Sequence, residues 1–145
     1  MKPGTRRILL VEDNPGDLRL VAEALTQRGI DFELRHYEKA DDAVRAIENC
    51  GRDGKELPEL ILVDYNLPCG DARDVLTAAA GNPALAGVPR AVVTSSLAPQ
   101  DREHALRLGA RSFIYKPVTL DDFLEEVGGS IAALLEQHAD SAGAD

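Results

Sequence analysis

Three apolar runs of the chain each end on a polar side chain, and this feature limits the possible folds more than any other. The runs lead into Glu12 and Asp13, into Asp64, and into Thr94. Longer amphipathic stretches lie between them, and this alternation is typical of βα units in a parallel sheet that helices cover on both faces. Because ligands bind outside the carboxyl ends of the strands in such a sheet, we expect these polar side chains to lie close together.

Five βα units can be traced along the chain. The apolar runs predict strands over residues 8–12, 32–37, 60–63, 88–93 and 112–115, with the second at an edge of the sheet and the third near its centre. The predicted helices cover residues 15–28, 41–48, 72–80, 101–108 and 120–136. Asn14, Asp71 and Thr119 stand where N-cap side chains are expected.

The length of the chain predicts a single domain, and its charge and cysteine content limit its partners and location. With 145 residues, 44% of them hydrophobic, the chain can build one core, which we place at residues 7–137, with flexible termini at 1–6 and 138–145 and no output domain. A net charge of -9 argues against nucleic-acid binding. No apolar run is long enough to cross a membrane, and Cys50 and Cys69 form no CxxC pair. We therefore expect a reduced, cytoplasmic protein.

The carboxylates at the strand ends have to be neutralised when they meet. Three carboxylates in one pocket repel one another, and a divalent cation removes that conflict. Oxygen ligands without His or Cys favour Mg²⁺ over zinc or copper. An Asp carboxylate is a competent nucleophile toward phosphorus, and Lys116 and Thr94 can contact phosphoryl oxygens. These residues therefore suit one small hard cation and one phosphoryl group.

Four short motifs follow one another along the chain: ILLVED at 8–13, LVDYNLP at 62–68, VVTS at 92–95 and FIYKP at 113–117. In this order and spacing they resemble the receiver domain of two-component response regulators. Each motif alone is weak, but together they are specific, and the match covers nearly the whole chain. The resemblance implies a flavodoxin-like (βα)5 fold, which is a three-layer sandwich around a five-stranded parallel sheet with the order 2-1-3-4-5.

The resemblance also implies a role for each polar residue at the strand ends. It implies that Asp64 is the phosphoacceptor and that Thr94 and Lys116 bind the phosphoryl group. The protein ligands that it implies for Mg²⁺ are Glu12, Asp13, Asp64 and the backbone carbonyl of Asn66.

Two further implied features lie at the last strand. Phe113 stands three residues before Lys116, where the family has an aromatic switch that turns inward as Thr94 moves toward phosphate. The alternative for Phe113 is a half-buried strand aromatic. The resemblance also implies a cis peptide bond between Lys116 and Pro117, which would aim the ammonium into the pocket.

The leading hypothesis is a single-domain response regulator that takes a phosphoryl group from a sensor histidine kinase and signals by a conformational change. The stretch from Glu12 to Asp17 resembles single-domain regulators that partner bacterial phytochromes, so a bacteriophytochrome is a candidate kinase. Such a protein is not an enzyme in the ordinary sense, because it would catalyse only its own phosphorylation and dephosphorylation. The last helix carries apolar residues on more than one face, which predicts a homodimer through Phe123, Leu124, Val127, Ile131, Leu134 and Leu135.

Three other functions stay open. The first is a phosphorelay intermediate that passes its phosphoryl group onward. The second is a nucleotide- or flavin-binding module of the same fold, which would need a Gly-rich or Ser/Thr-rich loop after the first strand, where this chain has Glu12-Asp13-Asn14-Pro15. The third is a Mg²⁺ phosphatase with an Asp nucleophile, which would place a second Asp two residues beyond Asp64, where Asn66 stands.

Overall fold

Five parallel strands form the sheet at the centre of the protein, in a computed structural model that describes residues 4–65, 67 and 71–143. The strands are β1 (Arg6–Val11), β2 (Phe32–Tyr37), β3 (Leu60–Asp64), β4 (Arg90–Thr94) and β5 (Ser112–Tyr115). They lie in the order β2-β1-β3-β4-β5, and neighbouring strands run parallel. The predicted five-stranded sheet with the order 2-1-3-4-5 is therefore confirmed.

Helices connect the strands and cover both faces of the sheet. The first four are α1 (Pro15–Gln27), α2 (Ala40–Asn49), α3 (Ala72–Ala80) and α4 (Pro99–Arg107), and a short 3₁₀ turn covers Pro83–Leu85. The last helix, α5, begins as Leu120–Asp122, passes through a π-helical turn at Phe123–Val127 and continues as Gly128–Gly143. Every helix in the described part of the chain is too short or too polar to span a bilayer.

Alternate residues of the strands build a separate core on each face. One face packs Ile8 and Leu62 against α1 and α5, and the other packs Leu9 and Val63 against α2 and α3. All five residues of β3 are buried, so this strand lies at the centre, as predicted. Within the described part of the chain, β2 pairs only with β1 and is half-exposed along its length, which confirms the predicted edge strand. The two-sided burial holds the carboxyl ends of the central strands in place.

Side-chain caps start three of the helices where the sequence predicts them. The Asn14 side chain accepts hydrogen bonds from the backbone N–H groups of Gly16 and Asp17. Asp71 forms a capping box with Asp74, and the Thr119 hydroxyl accepts from the Asp122 backbone N–H. These contacts satisfy N–H groups that have no partner inside the helix.

Several element boundaries differ from the prediction. β1 begins at Arg6, whose guanidinium donates to the Leu135 carbonyl at 2.7 Å and to Glu59 at 3.0 Å. The apolar pattern missed Arg6 and Arg7 because they are charged. α4 begins at Pro99, since proline is well suited to the first turn of a helix. α5 continues to Gly143, past the predicted end at residue 136.

Five of the six apolar residues that we singled out in α5 face the chain's own core, and the sixth, Leu124, is half-buried. Their spacing of three and four residues forms a single helical stripe. Residues at most 3% exposed in this stripe are Phe123, Val127, Ile131, Leu134 and Leu135. Five of the six residues predicted to form the homodimer contact are therefore buried within the chain, and the homodimer prediction loses most of the surface on which it was based.

One side chain outside the site ties two elements together, and we expect its loss to be costly. Asn82 donates to the carbonyls of Ile47 at 2.9 Å and Cys50 at 3.0 Å, and accepts from the Ala84 N–H at 3.0 Å. We predict that Asn82→Ala lowers the free energy of unfolding by about 2 kcal/mol, because both carbonyls at the end of α2 lose a partner. Urea unfolding measures the change. Asn49→Ala, which removes one exposed contact to a carbonyl, is the matched control, and an equal loss in both variants would contradict the prediction.

Candidate functional site

The candidate site lies at the carboxyl edge of the sheet, where four strands end. Glu12 follows β1, Asp64 ends β3, Thr94 ends β4 and Lys116 follows β5. Among the described residues, the buried polar or charged ones are Glu12 at 3% exposure, Asp64 at 9% and Thr94 at 0%. Polar groups are rarely this buried without a partner or a function. The structure thus brings together the strand-end residues that the sequence analysis singled out.

Three carboxyl groups form the acidic part of this site. One oxygen from each of Glu12, Asp13 and Asp64 lies within 4.8 Å of the others, with Asp13 exposed and the other two buried. The carbonyl of Glu12 lies 2.7 Å from His36 Nε2, which restrains the loop that carries the acids. Asn66, whose carbonyl is the fourth implied ligand, lies outside the described residues, as does Cys69.

The Lys116 ammonium lies among carboxylates and forms hydrogen bonds with three of them. Its Nζ donates to Glu12 Oε1 at 2.8 Å, to Asp17 Oδ2 at 2.8 Å and to Asp64 Oδ2 at 3.2 Å. An ammonium has three N–H donors, and here each has a carboxylate partner. Sequence reasoning missed Asp17, although the Asn14 cap and Pro15 already place it in the first turn of α1, beside the end of β1.

Burial shifts the protonation of these groups in a way that fits a bound cation. Burial and a hydrogen bond with Asp64 raise the pKa of Glu12 to about 7. Burial alone would lower the pKa of the Lys116 ammonium, but hydrogen bonds to Asp17 and Glu12 outweigh it and raise that pKa. Two buried carboxyls with only oxygen donors around them suit a hard divalent cation, which would let both ionise. The residues present therefore fit such an ion.

The peptide bond between Lys116 and Pro117 differs from the expectation. No peptide bond among the described residues is cis, so this bond is trans and the implied cis bond is wrong. The trans form is intrinsically favoured even before proline. The Lys116 side chain reaches all three carboxylates from the trans backbone.

Thr94 and Phe113, the two implied switch residues, lie on neighbouring strands. The Thr94 hydroxyl accepts from the Ser96 N–H at 3.0 Å, so its own proton can point into the site. Phe113 is half-buried, and its ring packs edge-on against Tyr65 with centroids 6.2 Å apart. This environment fits both interpretations of Phe113, as an aromatic switch and as a half-buried strand aromatic.

A chain of hydrogen bonds connects the site to α4. The Tyr65 hydroxyl donates to Asp101 Oδ1 at 3.3 Å and lies 3.4 Å from His104 Nδ1, while the Ser96 hydroxyl donates to Asp101 Oδ2 at 2.7 Å. Tyr65 directly follows Asp64, and Ser96 contacts Thr94. The loops after β3 and β4 are therefore tied to the same carboxylate on α4. Sequence reasoning missed this connection, since no spacing along the chain indicates it.

Known proteins resemble this chain along most of its length. The family model for the response regulator receiver domain matches residues 8–128. The response regulator Rcp1 of Synechocystis sp. is 35% identical over 130 residues, which are 89% of this chain and 88% of Rcp1. FilR2 of Methanothrix harundinacea, a probable methanogenesis regulatory protein, is 32% identical over 83% of this chain and 77% of its own length.

Solved structures agree with this result. The phosphorylated cyanobacterial phytochrome response regulator RcpA is 32% identical and has a TM-score of 0.78, with 86% of this chain and 90% of RcpA covered. The Mn²⁺-bound form of Rcp1 is 34% identical and has a TM-score of 0.76 over the same shares of the two chains. Phosphorylation by a histidine kinase is the general function of this family. With its motifs, its sheet order and its acidic site all in agreement, the chain belongs to the response regulator receiver domains of two-component signalling.

Proposed function

We propose that Asp64 accepts the phosphoryl group from a sensor histidine kinase in a reaction that requires Mg²⁺. The observation that carries this proposal is the position of Asp64, which is buried at the end of β3 with Lys116 Nζ 3.2 Å from its Oδ2. Glu12 and Asp13 place two more carboxyl oxygens within 4.8 Å. A nucleophile, a cation and ligands for a metal therefore lie in one place.

The reaction forms one bond and breaks one. A carboxylate oxygen of Asp64 attacks the phosphorus in line with the phosphorus–nitrogen bond of the phosphohistidine, and the bonding electrons leave with the imidazole of the kinase. Lys116 donates to one phosphoryl oxygen and the Thr94 hydroxyl to another, so the charge is stabilised from two sides. A bound Mg²⁺ would supply positive charge that offsets the carboxylates and the phosphoryl group. Its ligands in this proposal are Glu12, Asp13, Asp64 and the backbone carbonyl of Asn66.

Mg²⁺ is the ion we propose for this chain because of the number and type of its ligands. Mg²⁺ keeps several waters and takes only one or two carboxylates beside a phosphoryl oxygen. The site offers few protein oxygens, and Asp13 is exposed to water. The Mn²⁺-bound form of Rcp1 supports a divalent ion in a related protein.

The proposed partner is a bacteriophytochrome-type sensor histidine kinase. RcpA, which is 32% identical to this chain, is a phytochrome response regulator, and this similarity supports the proposal. We further propose that phosphorylated Asp64 draws Thr94 toward the phosphoryl group, that Phe113 turns with it, and that the changed surface carries the signal in the cytoplasm. A homodimer stays a prediction, with a contact surface other than the buried stripe of α5.

Phosphorylation by a small donor tests the proposal directly. The protein is incubated with acetyl phosphate in Mg²⁺ or in EDTA and resolved by phosphate-affinity gel electrophoresis. We expect a shifted band in Mg²⁺ alone, and peptide mapping after borohydride trapping should place the modification at Asp64. A protein that stays unmodified with acetyl phosphate and with phosphorylated kinases would overturn the proposal.

We predict that Thr94→Ala slows phosphorylation by acetyl phosphate about tenfold, because one hydrogen bond to the developing charge is lost. Thr94→Ser keeps the hydroxyl, and its rate should stay within about threefold of the wild type on the same grounds. Initial rates at saturating Mg²⁺ measure the effect. Equal slowing in both variants would point to packing of the fully buried threonine rather than to its hydroxyl.

A further inference from the structure

Lys116 has a carboxylate partner that does not belong to the proposed metal site. Its Nζ donates to Asp17 Oδ2 at 2.8 Å, as close as to Glu12 and closer than to Asp64. The Lys116 side chain is 11% exposed and the Asp17 side chain 26% exposed, so water only partly screens the pair. Asp17 is not among the carboxyl groups that lie together as possible metal ligands in the described chain.

The start of α1 holds Asp17 in this position. Asn14 Oδ1 accepts from the N–H of Gly16 at 2.8 Å and from that of Asp17 at 3.2 Å, and Pro15 occupies the first helical position. A Cβ on residue 16 would lie 3.1 Å from Asn14 Oδ1, so a larger residue there would press on the cap. The cap therefore sets the backbone from which Asp17 reaches the end of β5.

The three carboxylates that bond Lys116 have different roles during phosphoryl transfer. On the proposed function, Glu12 and Asp64 bind the metal, and one oxygen of Asp64 is esterified by the phosphoryl group. Both would then offer less negative charge to Lys116, which must turn one of its three N–H donors to a phosphoryl oxygen. Asp17 neither binds the metal nor accepts the phosphoryl group in this proposal, so its carboxylate stays available to Lys116. We infer that Asp17 is a positioning residue that keeps the Lys116 ammonium beside Asp64 during phosphoryl transfer.

A purely structural role for Asp17 has to be separated from this one. An acid in the first turn of a helix interacts favourably with the helix dipole wherever the helix lies. Asp122 occupies the same position in the first turn of α5, beneath the Thr119 cap, and is exposed. Asp122→Asn is therefore the matched control for the effect of losing a charge at this position.

A double-mutant cycle on the rate of phosphorylation tests the inference, which rests on the proposed function. Asp17→Asn should slow labelling by acetyl phosphate about fivefold in the wild-type background and less than about twofold in the Lys116→Met background, since coupled residues are non-additive. Asp17→Glu should restore part of the rate, and Asp122→Asn should leave it unchanged. If Lys116→Met does not fold, Lys116→Gln takes its place in the cycle.

The outcomes separate this inference from the function on which it rests. A labelled wild type with equal slowing by Asp17→Asn in both backgrounds, or with none in either, would overturn the role of Asp17 alone. A wild type that takes no label from any donor would overturn the proposed function and this inference with it. Slowing that depends on Lys116 and is absent in Asp122→Asn supports the inference.

Discussion

Asp64→Asn abolishes phosphorylation, and we expect no labelled protein above background. The amide has the same shape as the carboxylate but lacks the nucleophilic oxygen that would form the acyl phosphate. The measurement is phosphate-affinity electrophoresis with acetyl phosphate in Mg²⁺, with the unfolding of each variant checked in urea.

Two further aspartates serve as controls for this variant. Asp53→Asn changes an exposed loop acid that bonds only the Lys55 N–H in the described contacts, and it should label like the wild type. Asp13→Asn weakens the proposed metal site without removing the acceptor, so more Mg²⁺ should restore its labelling. Labelling of Asp64→Asn near the wild-type rate would assign the phosphoryl group to another residue.

Lys116→Met lowers the free energy of unfolding by about 3 kcal/mol at neutral to alkaline pH in EDTA, the scale observed when a buried charge loses its partner. The substitution keeps an unbranched side chain that is one atom shorter, and it removes the cation that bonds Glu12, Asp17 and Asp64. The carboxylates then repel one another without compensation. Urea unfolding gives the size of the loss.

The loss in Lys116→Met should depend on pH through Glu12. Its pKa is raised from 4.5 to about 7 in the folded protein, so the folded state binds more protons than the unfolded state between these values. The contribution of Glu12 to the free energy of unfolding therefore falls as the pH rises from the unfolded pKa to the folded pKa, and it is lost above the folded pKa. Lys116 stays charged throughout, because its own pKa is raised.

Lys116→Met should therefore lose less free energy of unfolding at about pH 5.5 than at about pH 8. At the lower pH a proton on Glu12 reduces the repulsion between the carboxylates in place of the missing cation. Mg²⁺ should return more stability at the higher pH, because metal binding competes with the proton. Lys55→Met, at an exposed loop lysine, is the control and should change stability by less than about 0.5 kcal/mol. An equal loss for Lys116→Met at both pH values would contradict this explanation.

The sequence predicted the parts of the site that follow from the strand order alone. In a parallel sheet the carboxyl ends of the strands meet at one edge, so Glu12, Asp64, Thr94 and Lys116 converge whatever the loops do. The bounds of β2 and β5 were predicted to the residue, because polar or charged residues and turn formers flank each apolar run.

Other contacts could not be predicted because they depend on the reach of single side chains. Asp17 and Lys116 are 99 residues apart, and Tyr65 and Asp101 are 36 apart, so no periodic pattern links them. The apolar content of α5 predicted an outer contact surface, but content alone does not show which neighbours cover a helix. The expectation of a cis bond before Pro117 came from the resemblance alone, and the structure has a trans bond there.

The order of the site residues along the chain also affects how the protein matures during synthesis. Glu12, Asp13 and Asp64 leave the ribosome well before Lys116, which lies 104 residues after Glu12. A nascent chain folded only through β4 would gather three acids without the ammonium that pairs with them. Docking of β5 therefore both completes the sheet and removes that repulsion. On the proposed function, the site is complete only when the final strand is in place.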